Sequence, residues 1–139
     1  MITDNLTTAL IARLEAVKPN ESISVIDARA QTEKSLPQIA VSVEAPERHS
    51  AALFGVQKCP VTITLEAHPG DDASRADLES WAETIEQALN SPVGVKLFIN
   101  GADYGIQCDN WIYDGGATGW DESTFQAIFS AEAWCVRAA

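Results

Sequence analysis

The sequence lacks any long hydrophobic run. No apolar stretch approaches the roughly 20 residues that a membrane-spanning helix requires. The first residues, MITDNLTTAL, carry an acidic side chain in place of the basic start of a secretory signal. These two absences predict a chain without a membrane span or a secretory leader, with the cytoplasm as its default compartment.

Cysteine and histidine are scarce. The three cysteines, Cys59, Cys108 and Cys135, are widely spaced and form no C-x-x-C pair, so we expect reduced thiols that are mostly buried in strands. The two histidines, His49 and His68, lie in or beside loops and belong to no H-x-x-x-H or H-E-x-x-H pattern. We interpret them as turn or surface residues and predict neither a metal site nor a catalytic triad.

The sequence also lacks the glycine and serine motifs of several enzyme classes. It has no G-x-S-x-G elbow, no G-x-x-x-x-G-K-[ST] phosphate loop and no G-x-G-x-x-G after a strand. The stretch IYDGGATGWDES, residues 112–123, combines acids with glycines but lacks the alternating side-chain oxygens of a calcium loop. We predict that it is a turn between the last two strands. A small ligand- or metal-binding domain that uses residues 109–122 is the alternative.

Basic residues are few. Twenty acidic residues against nine basic ones give a net charge of -11, which opposes tight binding to the phosphate backbone of DNA. The same charge would suit a protein that surrounds a passing polyanion without holding it. Hydrophobic residues nevertheless make up 46% of the 139 residues, so we expect a folded single domain spanning residues 1–139.

Two segments have helical periodicity. The first places an apolar stripe, with Thr3 or Asp4 as a suitable N-cap, on Leu6, Leu10, Ile11, Leu14 and Val17. The second, residues 75–89, is preceded by the possible caps Asp72 and Ser74. Its apolar stripe is Leu78, Trp81, Ala82, Ile85 and Leu89, while Glu79, Glu83 and Glu86 are predicted to form a solvated acidic face.

Six segments have strand patterns: residues 22–29, 38–45, 61–68, 95–100, 104–114 and 123–137. Together they predict an α+β fold, in which a mainly antiparallel sheet of about five to six strands carries two helices on one face. The last strand has apolar residues on both faces, which predicts burial on both. We expect the helices to cover one face and a neighbouring subunit the other.

The order of these elements resembles the tail terminator, or tail completion, proteins of long-tailed bacteriophages. The resemblance rests on the amphipathic first helix, the L-P-x-I-x-V pattern at residues 36–41, a long hairpin tip, a Pro/Asp turn before a tryptophan-bearing helix, and the closing segment GADYGIQCDNWIYDGGATGWDESTFQAIFSAEAW. It implies a subunit that closes into a ring, six-membered in this family, on the head-proximal end of the tail tube. That ring would end tail polymerisation and form the head-to-tail joining surface.

The resemblance also implies the partners and the location. The partners are other copies of the chain, the major tail tube protein and a head-completion or neck protein, with DNA passing through the lumen without specific binding. The location is the virion tail or neck, after assembly in the host cytoplasm. No catalytic residue, cofactor or metal is implied. The nearest alternative is another phage neck protein, a head-completion stopper or adaptor.

Candidate contact residues come from two regions. The tip AALFG, residues 51–55, is more apolar than a solvated loop requires, and tryptophans near loop ends commonly anchor interfaces. For Trp134, core packing is an equally weighted alternative. The predicted subunit or tail-tube contacts are Arg48, His49, Leu53, Phe54, Trp111, Trp120 and Trp134, with Phe54 first among them.

Overall fold

The structure is a computed structural model that describes residues 2–30, 35–46, 55–101, 103–121 and 123–138. Within this part of the chain lie three helices and five strands. The elements in chain order are α1 (Ile2–Val17), β1 (Ser24–Asp27), β2 (Gln38–Val43), β3 (Gln57–Ala67), α2 (Arg75–Leu89), α3 (Pro92–Gly101), β4 (Ile106–Trp120) and β5 (Phe125–Arg137).

The five strands form one sheet in the order β1-β2-β3-β5-β4. β1 pairs with β2 in parallel, and the other three pairings are antiparallel. The predicted α+β fold with a mainly antiparallel sheet is therefore confirmed. The long β4–β5 hairpin makes β4 one edge of the sheet, and the short strand β1 is the other edge.

The core lies between the helices and one face of the sheet. Register places Val41 of β2 opposite Ile63 of β3, which lies opposite Phe129 of β5, and all three side chains are buried. The α1 residues Leu6, Leu10 and Leu14 are completely buried, as the predicted stripe requires. Because α1 begins at Ile2, Thr3 and Asp4 lie inside its first turn, and neither is the predicted N-cap.

Helix α2 has the predicted bounds, and its cap is Ser74. The Ser74 side chain accepts a hydrogen bond from the Asp77 backbone N–H at 3.2 Å, which satisfies a donor that the first turn leaves unpaired. The predicted stripe of five apolar residues is buried. Sequence periodicity alone was sufficient here because the stripe extends over the whole helix.

The prediction of a strand at residues 95–100 is wrong, because this segment belongs to helix α3. Pro92 is the first helical residue, where a missing N–H and a fixed φ are favourable. Val95 and Ile99, four residues apart, are buried, while Val93 and Leu97 are 69% and 68% exposed. The fold thus has three helices where two were predicted, and two strands follow α3.

The prediction that residues 112–123 form a wide turn is also wrong. β4 continues through the glycines to Trp120, and residues from Gly115 to Gly119 pair in register with β5. The connection is reduced to residues 121–124 and is closed by a 2.8 Å hydrogen bond from the Asp121 N–H to the Thr124 carbonyl. The glycines therefore belong to an edge strand.

The cysteines and His68 lie where their sequence context predicted. Cys59, Cys108 and Cys135 are buried and reduced, on β3, β4 and β5 respectively. His68 follows β3 directly, and its Nδ1 lies 3.0 Å from the Ser123 carbonyl oxygen beside the β4–β5 connection. None of the helices in the described ranges is long and apolar enough to cross a membrane.

Candidate functional site

The two faces of the sheet differ in how far they are covered. Along β5, the helix-facing side chains are buried, whereas the residues between them are exposed or half-buried. In the described part of the chain, the three helices thus cover one face only. We call the other side the open face; it includes Thr62, Thr64, Ile112, Ile128, Ser130 and Trp134.

Apolar side chains lie on the open face among polar ones. Ile112 and Ile128 are each 39% exposed, and Trp134 and Val136 are half-buried. Lys58 and Glu132 form an ion pair of 3.3 Å on the same face. The chain's own described residues therefore do not bury β5 on its second face, and its coverage by a neighbouring subunit stays a prediction.

At Cys108, the outer edge of β4 is closed by helix α3. The Cys108 N–H donates to Asn100 Oδ1 at 2.7 Å, and Asn100 Nδ2 donates to the Cys108 carbonyl at 3.1 Å. The Asn100 amide therefore pairs with β4 as another strand would. Close by, Trp111 Nε1 donates to the Leu89 carbonyl at 2.7 Å, which ties β4 to the end of α2.

The C-terminal part of this edge, residues 116–120, has no such cover among the described residues. The Asp121 N–H is directed at β5, since it donates to Thr124. Backbone direction alternates along an antiparallel strand, so the N–H and C=O groups of Gly116, Thr118 and Trp120 point away from β5. We call residues 116–120 the open edge; no described backbone or side-chain group pairs with those outward groups.

Helix α2 runs beside the open edge and gives it an acidic flank. Glu79, Glu83 and Glu86 line a groove of about 220 Å³ together with residues 116–118 and Phe129. The predicted solvated acidic face is thus one wall of a groove, and all three glutamates are exposed. The Tyr113 hydroxyl donates to Glu86 Oε2 at 2.7 Å. Partial burial, then this hydrogen bond and the charge of Glu86, raise the pKa of Tyr113.

Gly116 leaves room for the Phe129 and Tyr113 side chains to pack closely against β4. A Cβ at this position would lie 2.8 Å from Phe129 Cδ1 and 2.9 Å from Tyr113 Oη. Both distances are shorter than nonbonded carbon contacts allow. By contrast, a Cβ at Gly119 would meet nothing within 4 Å. The glycine at position 116 is therefore a packing requirement.

Trp120 ends the open edge. Its ring lies 4.5 Å from the Phe125 ring, centroid to centroid, and the Arg75 guanidinium carbon lies 4.1 Å from the Trp120 centroid. Such cation–π stacking holds the indole in one orientation. Arg75 is also the first residue of α2, so the contact links the start of this helix to the end of β4.

The contact residues predicted from sequence have different outcomes. Arg48, His49, Leu53 and Phe54 lie outside the described residues. Trp111 is 1% exposed and its indole N–H is bonded to Leu89, so it belongs to the core and the prediction that it contacts a partner is corrected. Trp120 and Trp134 are half-exposed on β4 and β5, and their contact role stays a prediction.

Sequence reasoning missed Ile112 and the open edge. The sequence was compatible with a strand through the glycines, because residues 111–120 contain no proline. It gave no sign that this strand is an edge, since natural edge strands usually carry proline or lysine as protection against pairing. We interpreted the glycines by their turn propensity, and for this reason the continuation of β4 to Trp120 was not predicted.

The buried thiols form a second cluster. Cys108 and Cys135 are directly opposite each other in the β4–β5 register, and the hydrogen bond between their side chains lowers the pKa of Cys108 and raises that of Cys135. Burial, with a smaller contribution from Cys108, raises the pKa of Cys59 to about 11. Across the described ranges, no group of three or more His, Cys, Asp or Glu side chains could hold a metal ion.

Comparison with known proteins adds no family assignment. No protein-family model matches the chain, and no curated protein matches it either.

Proposed function

We propose that the chain is a phage structural protein that caps the head-proximal end of the tail tube as a ring, ends tail polymerisation and presents the head-joining surface. The observation that carries the proposal is the one-sided cover of the sheet. Ile112 and Ile128 are exposed on a face whose opposite side is fully packed. A neighbouring subunit would bury these side chains and remove them from water.

The two edges of the sheet support a ring over a twofold dimer. β1 and β4 differ in length and in strand direction relative to their neighbours. Contacts between unlike surfaces are head-to-tail, and they close into rings when the rotation between subunits allows it. The net charge of -11 per chain would make the ring strongly acidic, and a lumen of the same sign would let DNA slide through without adhering.

Electron microscopy of tube assembly tests the proposal. Purified protein is imaged in negative stain alone and mixed with polymerising tail-tube subunits. The expected result is ring-shaped caps on tubes whose growth has stopped. Tubes that continue to grow with unchanged ends in an excess of the protein would refute tube capping. Caps found on isolated head connectors but not on tubes would indicate the stopper or adaptor role instead.

Matched variants connect this assay to the open face. Ile128→Lys places a charge on the open face, whereas Leu97→Lys places one on the exposed side of α3, where 68% of the leucine is already solvated. We expect Ile128→Lys to abolish caps and Leu97→Lys to retain them, because only the first would bury an unpaired charge at the interface. Equal capping by both variants would contradict the use of the open face.

Phe54→Ser is the corresponding test of the tip at residues 51–55. We expect the variant to fold normally and to attach less to tail tubes in a sedimentation assay, because an apolar contact is lost. Unchanged attachment would remove Phe54 from the contact surface.

A further inference from the structure

The open edge is a short stretch of strand with the pairing groups of a sheet and no steric protection. Gly116, Thr118 and Trp120 direct backbone donors and acceptors outward, and the residues between them are Ala117 and Gly119. Residues 116–120 contain no proline or lysine, and the register shift of β4 lies before them, between Tyr113 and Gly115. Edge strands are normally protected by such residues or by bulges within the edge itself.

Further upstream on the same edge, one residue has its outward groups satisfied by a side chain of this protein. There the Asn100 amide makes both hydrogen bonds to Cys108. The contrast lies within a single strand, since Cys108 is paired by the protein's own side chain, whereas the outward groups of Gly116, Thr118 and Trp120 are free among the described residues. A segment from outside these residues can supply the missing pairs by strand addition.

The acidic side chains of α2 determine which side chains that segment should carry. A strand added beside residues 116–120 would place every second side chain next to α2, where Glu79, Glu83 and Glu86 line the groove. Arg75, stacked on Trp120, is the basic group at the far end of the open edge. Lysine or arginine at the alternate positions would therefore be attracted, and glutamate repelled.

The other side of an added strand would meet an apolar depression. On the open face, residues 114–117, Ile128 and Ser130 line a shallow hollow of about 480 Å³. Side chains that alternate with the basic ones would point towards it, because successive side chains of a strand lie on opposite faces. Small apolar residues suit this position, next to the exposed Ile128.

We propose that the open edge, residues 116–120, is a docking site for an extended segment of a partner protein in which basic residues alternate with apolar ones. The segment adds antiparallel to β4, with its basic side chains against the glutamates of α2. A second copy pairing β4 with β4 is disfavoured, because it would bring the two acidic flanks together. The inference goes beyond tube capping, and its test uses only the purified chain and synthetic peptides.

Geometry specifies which amides of the segment make the bonds. In an antiparallel pair, residues that exchange hydrogen bonds lie directly opposite each other with side chains on the same face. The outward backbone groups of β4 belong to Gly116, Thr118 and Trp120. These residues lie opposite the helix-facing residues Phe129, Ala127 and Phe125 of β5, so their own side-chain positions also face the helices. The pairing amides of the partner are therefore those of its basic residues.

The test measures peptide binding by fluorescence anisotropy. The parent probe is a labelled peptide of alternating lysine and valine. In a second version the backbone amides of the lysines are N-methylated, and in a third version those of the valines are. We expect the parent and valine-methylated peptides to bind alike, and the lysine-methylated peptide and a glutamate/valine peptide to bind about tenfold more weakly or worse. Absence of binding by the parent peptide, or any other ranking of the four, would overturn the proposal.

Two variants at one position provide a second readout. Thr118→Pro removes an outward N–H that β5 does not use, so the strand tolerates it at an edge, whereas Thr118→Val retains the N–H. Binding of the parent peptide should fall about tenfold with proline and remain within about twofold with valine. Equal binding by both would overturn the proposal. If circular dichroism shows that Thr118→Pro does not fold, the methylated peptides alone decide.

Discussion

Alanine at position 116 is expected to destabilise the protein, while alanine three residues further along the same strand is not. The added Cβ in Gly116→Ala would lie 2.8 Å from Phe129 Cδ1, 2.9 Å from Tyr113 Oη and 3.2 Å from Glu86 Oε2. Phe129 is 3% exposed and cannot move without disturbing the core. The methyl group must therefore displace the Phe129 and Tyr113 side chains or shift β4 itself.

The expected loss of stability in Gly116→Ala is the cost of overpacking. Inserting a methyl group into a packed site typically costs about 1–3 kcal/mol, and displacement of Tyr113 also strains its 2.7 Å hydrogen bond to Glu86. Gly119→Ala is the matched control, because its Cβ meets nothing within 4 Å. That change should stabilise by about 0.4–1 kcal/mol, since alanine has less conformational freedom than glycine in the unfolded chain.

Urea unfolding followed by tryptophan fluorescence measures both effects. At equal m values, the midpoint should fall for Gly116→Ala and stay or rise for Gly119→Ala. In a Tyr113→Phe background, the cost of Gly116→Ala should shrink, because the hydroxyl 2.9 Å from the new methyl is gone. Equal unfolding midpoints, within experimental error, for the two alanine variants would refute the close packing of Phe129 and Tyr113 against Gly116.

Three further predictions concern the core, the thiols and the helix cap. Trp111→Phe should lower the free energy of unfolding by about 1–3 kcal/mol, because it leaves the buried Leu89 carbonyl without its donor; an unchanged melting temperature would contradict this. Stability should fall as pH rises from about 9 to 11, because the unfolded Cys59 thiol ionises at lower pH than the folded one, whose pKa is raised from 9.0 to about 11. Cys59→Ala should reduce the slope of that part of a stability–pH profile, to which the raised pKa of Cys135 also contributes, and an unchanged slope would exclude Cys59 as a cause. Ser74→Ala should cost about 0.5–2 kcal/mol in chemical denaturation through loss of the α2 cap, whereas Ser80→Ala, at an exposed position within α2, should cost nothing.

Prediction from sequence succeeded where one periodicity extended over a whole element. Residues of α2 repeat at helical spacing over its full length, so the helix, its bounds and its buried stripe were all predicted. Helix α3 was missed because its apolar run is short, and a short run fits both a strand and a buried helix. Pro92 at the first helical position was the signal that could have distinguished them.

The candidate site was less predictable than the fold. Glycine has a strong turn propensity, so residues 112–123 were interpreted as a turn. In the folded chain, the sheet register with β5 overrides that propensity and extends the strand to Trp120. Trp111 illustrates the same limit, because its sequence context indicated an interface, whereas its hydrogen bond to Leu89 and its burial place it in the core.

The sequence by itself determined the α+β class, the acidic character and the core-facing stripes of α1 and α2, since these depend on composition and on local periodicity. Only the tertiary structure decided that β4 is an edge, that Asn100 closes this edge at Cys108, and that residues 116–118 lie beside the glutamates of α2. The physical reason is that strand neighbours and register arise from contacts between residues far apart in the chain. Whether a backbone group has a partner depends on those neighbours and not on its own residue type.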